Sequence, residues 1–424
     1  MHKTLLIFSC FFILFFFECA PKRNIPQRNV TVAKETKTNL LNPIFTVYNP
    51  SPDSSIIYFK ISKQNILYTR KDKLSSYNSN LKIHYKLYPY GNSKLIVDSA
   101  TLYLKDEVRT RTHKNLAGTI TIPTYDAKDY LLKITTEDLN RGASIEKKIY
   151  LRKSYKHNRQ YFLTQIDSSL TPVYESFVND SSLLLLTSEI NKNNAVFFRY
   201  YNRTFSIAAP PFASVNTKPF NYTPDTTIIK KLNNEGKTNF SPPENGFIHI
   251  QTDTSTKVGS TIFKYDVNFP SIKTIDGLIT PLRYICSTAE YNQLLESETP
   301  KKSVDEFWLS KASSDERARE LIKQYYNRVE QANKHFSSHI EGWKTDRGMI
   351  SIIYGPPTLV RKTGRSETWI YGEENNLIAL NFIFNQKDNP FSNNDYKLQR
   401  SSTYKTAWYR AVDTWRSGRV YYGY

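Results

Sequence analysis

Cysteine, methionine and glycine are all scarce in this chain: 3, 2 and 14 residues among 424. The cysteines are Cys10, Cys19 and Cys286. Three widely separated thiols build neither a disulfide framework nor a zinc site of paired spacing. The glycines form no phosphate loop, no G-x-G-x-x-G fingerprint and no G-x-S-x-G elbow. The common nucleotide-binding and hydrolase signatures are therefore missing. The apolar run over residues 5–17 is too short to span a bilayer as an ordinary helix.

That run has the length of a secretory signal core, with a short basic start before it and Cys19 after it. Bacterial lipoproteins are cut before such a cysteine, which then carries the lipid. We expect a signal peptide over residues 1–18, lipidation of Cys19, and a flexible tether over residues 19–38. The tether is polar and basic, with Pro21 and Pro26. Glu18 stands where a small residue normally precedes the cysteine, so a plainly secreted chain and an uncleaved anchor are the alternatives. Cys10 lies inside the apolar run and is the poorer lipidation candidate. Cys286, in PLRYICST, reads as a small buried residue.

The formal charge is +19. Lys and Arg outnumber Asp and Glu by 22 to 11 over residues 19–150, by 15 to 13 over 151–299, and by 20 to 14 over 300–424. The excess sits nearest the tether. A basic surface there favours anionic lipid headgroups or acidic glycans, with ordinary solubility charge as the plain alternative. Nucleic-acid motifs are lacking, and no nucleic-acid partner is expected.

Tyr and Phe are abundant, at 30 and 24 residues, which favours strands. Residues 39–152 read as about seven short strands, with hairpin chemistry at DLNRGA; this suits an immunoglobulin-like sandwich. Residues 156–290 read as a second β-rich domain. The polar, Pro-rich stretch NTKPFNYTPDTTIIKKLNNEGKTNFSPPENG inside it reads as a loop. LLLLT fits a strand or a buried helix by periodicity.

Residues 300–424 change character. SSDERARELIKQYYNRVEQANKHF carries apolar residues at three- and four-residue spacing, with Ser313 and Glu316 fitting a capping box. Gly342 is expected to close this helix and Gly348 to take positive φ. Trp343 should fold back on the helix end. Asp346 should bond amides ahead of it, and Arg347 should pair with Asp346 or Glu367. MISIIY reads as a central strand stopped by Gly355-Pro356-Pro357. SETWIYG and NLIALNFIF read as the next strands, and TAWYRAVDTWRSG as a final helix.

FW at 307–308, RVEQANKHF at 328–336, GWKTDRG at 342–348, IIYGPP at 352–357 and ETWIY at 367–371 occur in order. This C-terminal third resembles the GWxTD domain of envelope proteins from Bacteroidota and related bacteria. The resemblance implies export, often as a lipoprotein, with β-rich regions ahead of the domain; it brings no activity. Gly355, Pro357, Trp369 and Tyr371 are also similar in spacing to the small lipoproteins that accompany outer-membrane barrel assembly.

The fold class expected is two N-terminal all-β sandwich domains followed by an α+β domain, with one long helix on a small antiparallel sheet. Gly342, Trp343, Thr345, Asp346, Arg347, Gly348, Tyr354, Gly355, Pro357, Trp369 and Tyr371 are read as a structural joint. His335 and His339 lack the glutamate of a zincin, Asp346 with Glu367 is better explained by turn and pairing roles, and no catalytic residue, metal or cofactor is expected. The functional reading is a non-catalytic outer-membrane lipoprotein, on the periplasmic side, that docks to envelope proteins. A glycan-binding or carbohydrate-active protein, stacking sugars on Trp343, Tyr354, Trp369 and Tyr371, is the alternative.

Overall fold

The computed structural model describes residues 29–32, 41–110, 114–125, 127–214, 220–373, 376 and 379–422. The expected signal peptide and Cys19 lie outside the described residues. Within the segment read as a tether, Asn29–Val32 pairs as a strand with Leu359–Thr363.

The first module is a sandwich. One sheet joins Ile44–Ser51, Ser54–Ser62 and Asn115–Pro123; the other orders Asp98–Val108, Tyr77–Pro89, Tyr130–Asp138 and Ala143–Leu151. Alternation drives it. Ile57, Phe59 and Ile61 from one sheet meet Leu81, Ile83, Leu132 and Ile134 from the other, all at most 1% exposed. The DLNRGA hairpin turns at Gly142, whose φ is 69°.

The second module packs a four-stranded sheet, containing Leu163–Ile166 and Leu184–Thr187, on a five-stranded one built around Ala195–Tyr201 and Gly246–Gln251. LLLLT is a strand here. The stretch read as a loop holds two strands, Thr226–Lys231 and Lys237–Phe240. The first lies at the sheet edge against Ala195–Tyr201 and is exposed at nearly every residue. An edge strand with both faces wet needs no alternation, so its sequence carries no period-2 signal.

The C-terminal module starts earlier than residue 300. Helices α1 (Ile275–Ile279), α2 (Thr288–Leu295) and α3 (Pro300–Lys311) precede the long helix α4 (Asp315–Phe336). Ile279, Leu282, Ile285 and Cys286 fall in the core that α4 shares, so the stretch from Ile275 belongs with the helices. The N-cap of α4 is Ser314, whose side chain accepts from the Arg317 amide, one residue later than expected. Ala318, Leu321, Tyr325, Val329 and Ala332 are buried along one stripe, with Ile322 and Phe336 half-buried beside it.

MISIIY is not a strand. It forms most of helix α5 (Asp346–Tyr354), every residue of which is buried except Ser351. A short run that is apolar but for one serine suits a buried strand and a buried helix equally. The residues ahead of them decide: the Thr345 hydroxyl caps the Gly348 amide, and Asp346 sits in the first turn, complementing the helix dipole. Gly355, at φ 81°, then ends a helix, not a strand. An antiparallel sheet follows, ordered from Leu359–Thr363 through Ser366–Tyr371 and Leu380–Gln386 to Tyr396–Leu398. Helix α6 (Lys405–Arg416) closes the core, with Gly418 at φ 72° behind it.

A second core joins the modules. Phe391, from the loop before the last strand, inserts among Tyr201, Phe247, Phe263, Tyr265 and Phe269. Its ring centroid is 4.6 Å from Phe247 and 5.0 Å from Tyr201.

Candidate functional site

GWKTDRG lies between α4 and α5. Helix α4 ends at Phe336 with Ser337 as its C-cap, so Gly342 is not the closing glycine. Gly342 instead opens a short 3-10 turn that returns against the helix. A Cβ there would come within 1.9 Å of the Ala332 carbonyl oxygen. Gly348 likewise lacks the expected positive φ. It is a helical residue whose Cβ would meet the Gly342 carbonyl oxygen at 1.9 Å. Both glycines serve close backbone approach.

The motif is densely hydrogen-bonded within the chain. The Gly342 amide donates to Ser337 Oγ at 2.7 Å, and the Trp343 amide to Asn333 Oδ1 at 3.1 Å. Thr345 Oγ1 donates to the Gly342 carbonyl at 2.7 Å and accepts from the Gly348 amide at 3.0 Å. Trp343 is 6% exposed, and its carbonyl accepts from Tyr284 Oη at 2.9 Å. Asp346 reaches across the fold and not ahead in the turn. It accepts from the Leu398 amide at 2.9 Å and from both terminal nitrogens of Arg400, at 3.2 and 2.5 Å.

Arg347 pairs with Glu367 at 3.3 Å, donates to the Asn394 carbonyl at 2.9 Å, and lies over the Tyr396 ring at 4.0 Å. Glu367 also accepts from Trp369 Nε1 at 3.2 Å and faces Lys362 at 3.0 Å. Burial would raise the Glu367 carboxyl, but the Arg347 and Lys362 charges outweigh it and hold the group below its usual range. Burial lowers Arg347, with Glu367 opposing that shift.

Sequence reasoning passed over three parts of this joint. Arg328, 7% exposed, donates to the carbonyls of Ile352 and Ile353 at 3.0 and 3.2 Å and to that of Tyr421 at 2.7 Å. It caps the C-terminal end of α5, where cations are favoured, and burial lowers its pKa to about 10. Its position in the RVEQANKHF block was the available signal. Arg400 is the second part. The third is a strap after Tyr201: the Ala208 amide donates to the Lys344 carbonyl at 2.9 Å, and Arg400 donates to the Ala209 carbonyl at 3.1 Å. The strap ties the second β-module across the motif.

Trp343, Tyr354, Trp369 and Tyr371 are 6%, 0%, 3% and 3% exposed. Their faces are spent on neighbours, Tyr354 on Tyr371 and Phe382, and Trp369 on Phe336 and Phe384. They offer no stacking platform to a sugar. Tyr371 Oη holds the Gly355 carbonyl at 2.8 Å, Pro357 is half-buried, and the Tyr354 hydroxyl is buried without a partner. His339 is enclosed, its Nδ1 accepts from Asn389 Nδ2 at 3.0 Å, and burial lowers its pKa to about 4. Among the described residues no group of three or more His, Cys, Asp or Glu could hold a metal ion. Cys286 is buried, which pushes its thiol up to about 12.

These features define an α+β domain whose signature motif is interior. Residues 246–417 match the GWxTD domain family, and this part of the chain is a GWxTD domain. The match begins at Gly246, in the second β-module. The aromatic core gives the physical reason: Phe247 packs directly on Phe391 and Phe263 on Phe247, so those strands belong to the same unit. Comparison with curated proteins finds no match.

Proposed function

We propose that this protein is a non-catalytic cell-envelope lipoprotein, an accessory subunit of an outer-membrane-associated assembly, anchored through Cys19 on the periplasmic side. The observation that carries this reading is the burial of the GWKTDRG motif, whose polar groups are bonded within the chain. Such a motif holds modules in a fixed relation and leaves docking to other surfaces. The outer face of the four-stranded sheet supports a contact with an anionic partner. Lys86, Lys133 and Lys148 stand in register across three adjacent strands. Like charges directly opposite one another destabilise a sheet, so an acidic surface would relieve them. Tyr88 and Tyr150 lie on the same face two residues along.

Two experiments test the proposal. Labelling with a palmitate analogue should mark the wild type and fail on Cys19→Ala; labelling that survives the substitution refutes the anchor. Purification from detergent-solubilised membranes should bring down a stable set of envelope proteins. A chain that purifies alone and retains peptidoglycan or polysaccharide favours the glycan-binding reading instead.

A further inference from the structure

A cavity of about 80 Å³ lies where the first sandwich, the second β-module and the Phe391 loop meet. Arg159, Thr164, Glu175, Ser176, Ser260 and Ser392 are among its walls. The lining is chiefly polar, which suits hydrated or charged groups better than apolar ones.

Arg159 is the notable wall residue. Its side chain makes no hydrogen bond or ion pair among the described residues, whereas Arg328, Arg347 and Arg400 are all bonded. Arg159 is exposed and lines the cavity, so its guanidinium is accessible to a ligand there. Its backbone is fixed. Asn158 caps the short turn Arg159–Tyr161, and Tyr161, fully buried, donates to the Lys153 carbonyl at 3.2 Å. Asn158 also donates to the Arg152 carbonyl at 2.8 Å. A guanidinium carried on a fixed turn, with no ion-pair partner among the described residues, attracts an oxyanion.

The remaining walls agree. Thr164 Oγ1 is buried without a hydrogen-bond partner. The one carboxylate among the residues named, Glu175, is engaged by Lys60 at 3.2 Å, which offsets its repulsion of an anion. A volume of about 80 Å³ admits a phosphate or carboxylate group. We propose that this cavity binds a small oxyanion, a phosphate or carboxylate group held by Arg159 with help from the wall hydroxyls.

The test is calorimetric titration of the full detergent-solubilised chain with inorganic phosphate, acetate and glycerol phosphate, at constant ionic strength and with chloride as control. Binding by phosphate or acetate alone identifies a free ion; binding by glycerol phosphate only identifies a lipid-type headgroup; either supports the site. Arg159→Gln should weaken binding by about ten- to a hundredfold. Glu175→Gln should tighten it, because a repelling charge is lost and Lys60 is released. A damaged fold cannot mimic that opposite sign. No oxyanion binding above the chloride control, or binding equal in Arg159→Gln and wild type, overturns the proposal.

Discussion

Gly348→Ala sets two physical effects against each other. Gly348 is inside α5, and alanine is the better helix former by about 1 kcal/mol, so propensity alone predicts a more stable protein. The surroundings predict the reverse. The added Cβ would stand 1.9 Å from the Gly342 carbonyl oxygen, 2.8 Å from its carbon and 3.1 Å from Trp343 Cα. All three atoms are backbone, so no side chain can swing away. The Gly342 carbonyl is also pinned, since it accepts from the Thr345 amide at 3.1 Å and from Thr345 Oγ1 at 2.7 Å. Moving it strains two hydrogen bonds, each contributing about 1 kcal/mol, on top of an overpacking cost of about 1–3 kcal/mol. The net loss should be about 2 kcal/mol or more. The assay is denaturant unfolding followed by tryptophan fluorescence. All five tryptophans, Trp308, Trp343, Trp369, Trp408 and Trp415, lie in the GWxTD domain, so the signal reports that domain. A Gly348→Ala protein as stable as wild type, or more so, refutes the close-approach role.

Asp346→Ala should cost about 3–5 kcal/mol by the same assay, because it strips Arg400 and the Leu398 amide of a buried acceptor; a loss below about 1 kcal/mol would show the pair to be dispensable. His249, whose Nδ1 lies 2.8 Å from Thr261 Oγ1, is lowered by burial to about pH 4. Its folded pKa lies below its unfolded one, so its contribution is whole above about pH 6.5 and drains away as pH falls toward 4. Between pH 7 and 5 that is about 2 kcal/mol, and His249→Asn should remove that part of the slope. Glu290, bonded by Arg416 at 2.6 Å and by Lys311 at 3.0 Å, is held far below the usual carboxylate range. Its stabilisation is present above about pH 4.5 and is lost on acidification below it; Glu290→Gln should therefore be less stable at pH 7 and unfold over a flatter acid limb.

The parts legible in the sequence are those whose signal is local. The alternation of IIYFKIS and LKIHYKLYPY marked the first sandwich, and the stripe from Ala318 to Ala332 marked α4. MISIIY was ambiguous because a helix buried on all sides has no polar face to set its period; Thr345 and Asp346 carried the answer as cap and first-turn acid. Thr226–Lys231 escaped because an exposed edge strand need not alternate. The partners of Asp346, at Leu398 and Arg400, lie 52 and 54 residues away, and the Arg400–Ala209 bond closes over 191 residues. Contacts of that range leave no trace in spacing. Arg159 is equally silent: the cavity it lines is walled from three modules, and only the fold reveals that no carboxylate among the described residues pairs with it.

Trp343→Ala tests the joint most directly. If the motif is an interior joint, removing this ring should lower the stability of the GWxTD domain by about 3–5 kcal/mol, read from the four remaining tryptophans. It should also loosen the strap that bonds Lys344. A Trp343→Ala protein that unfolds with the wild type yet loses its envelope partners would contradict this and make the motif the working surface.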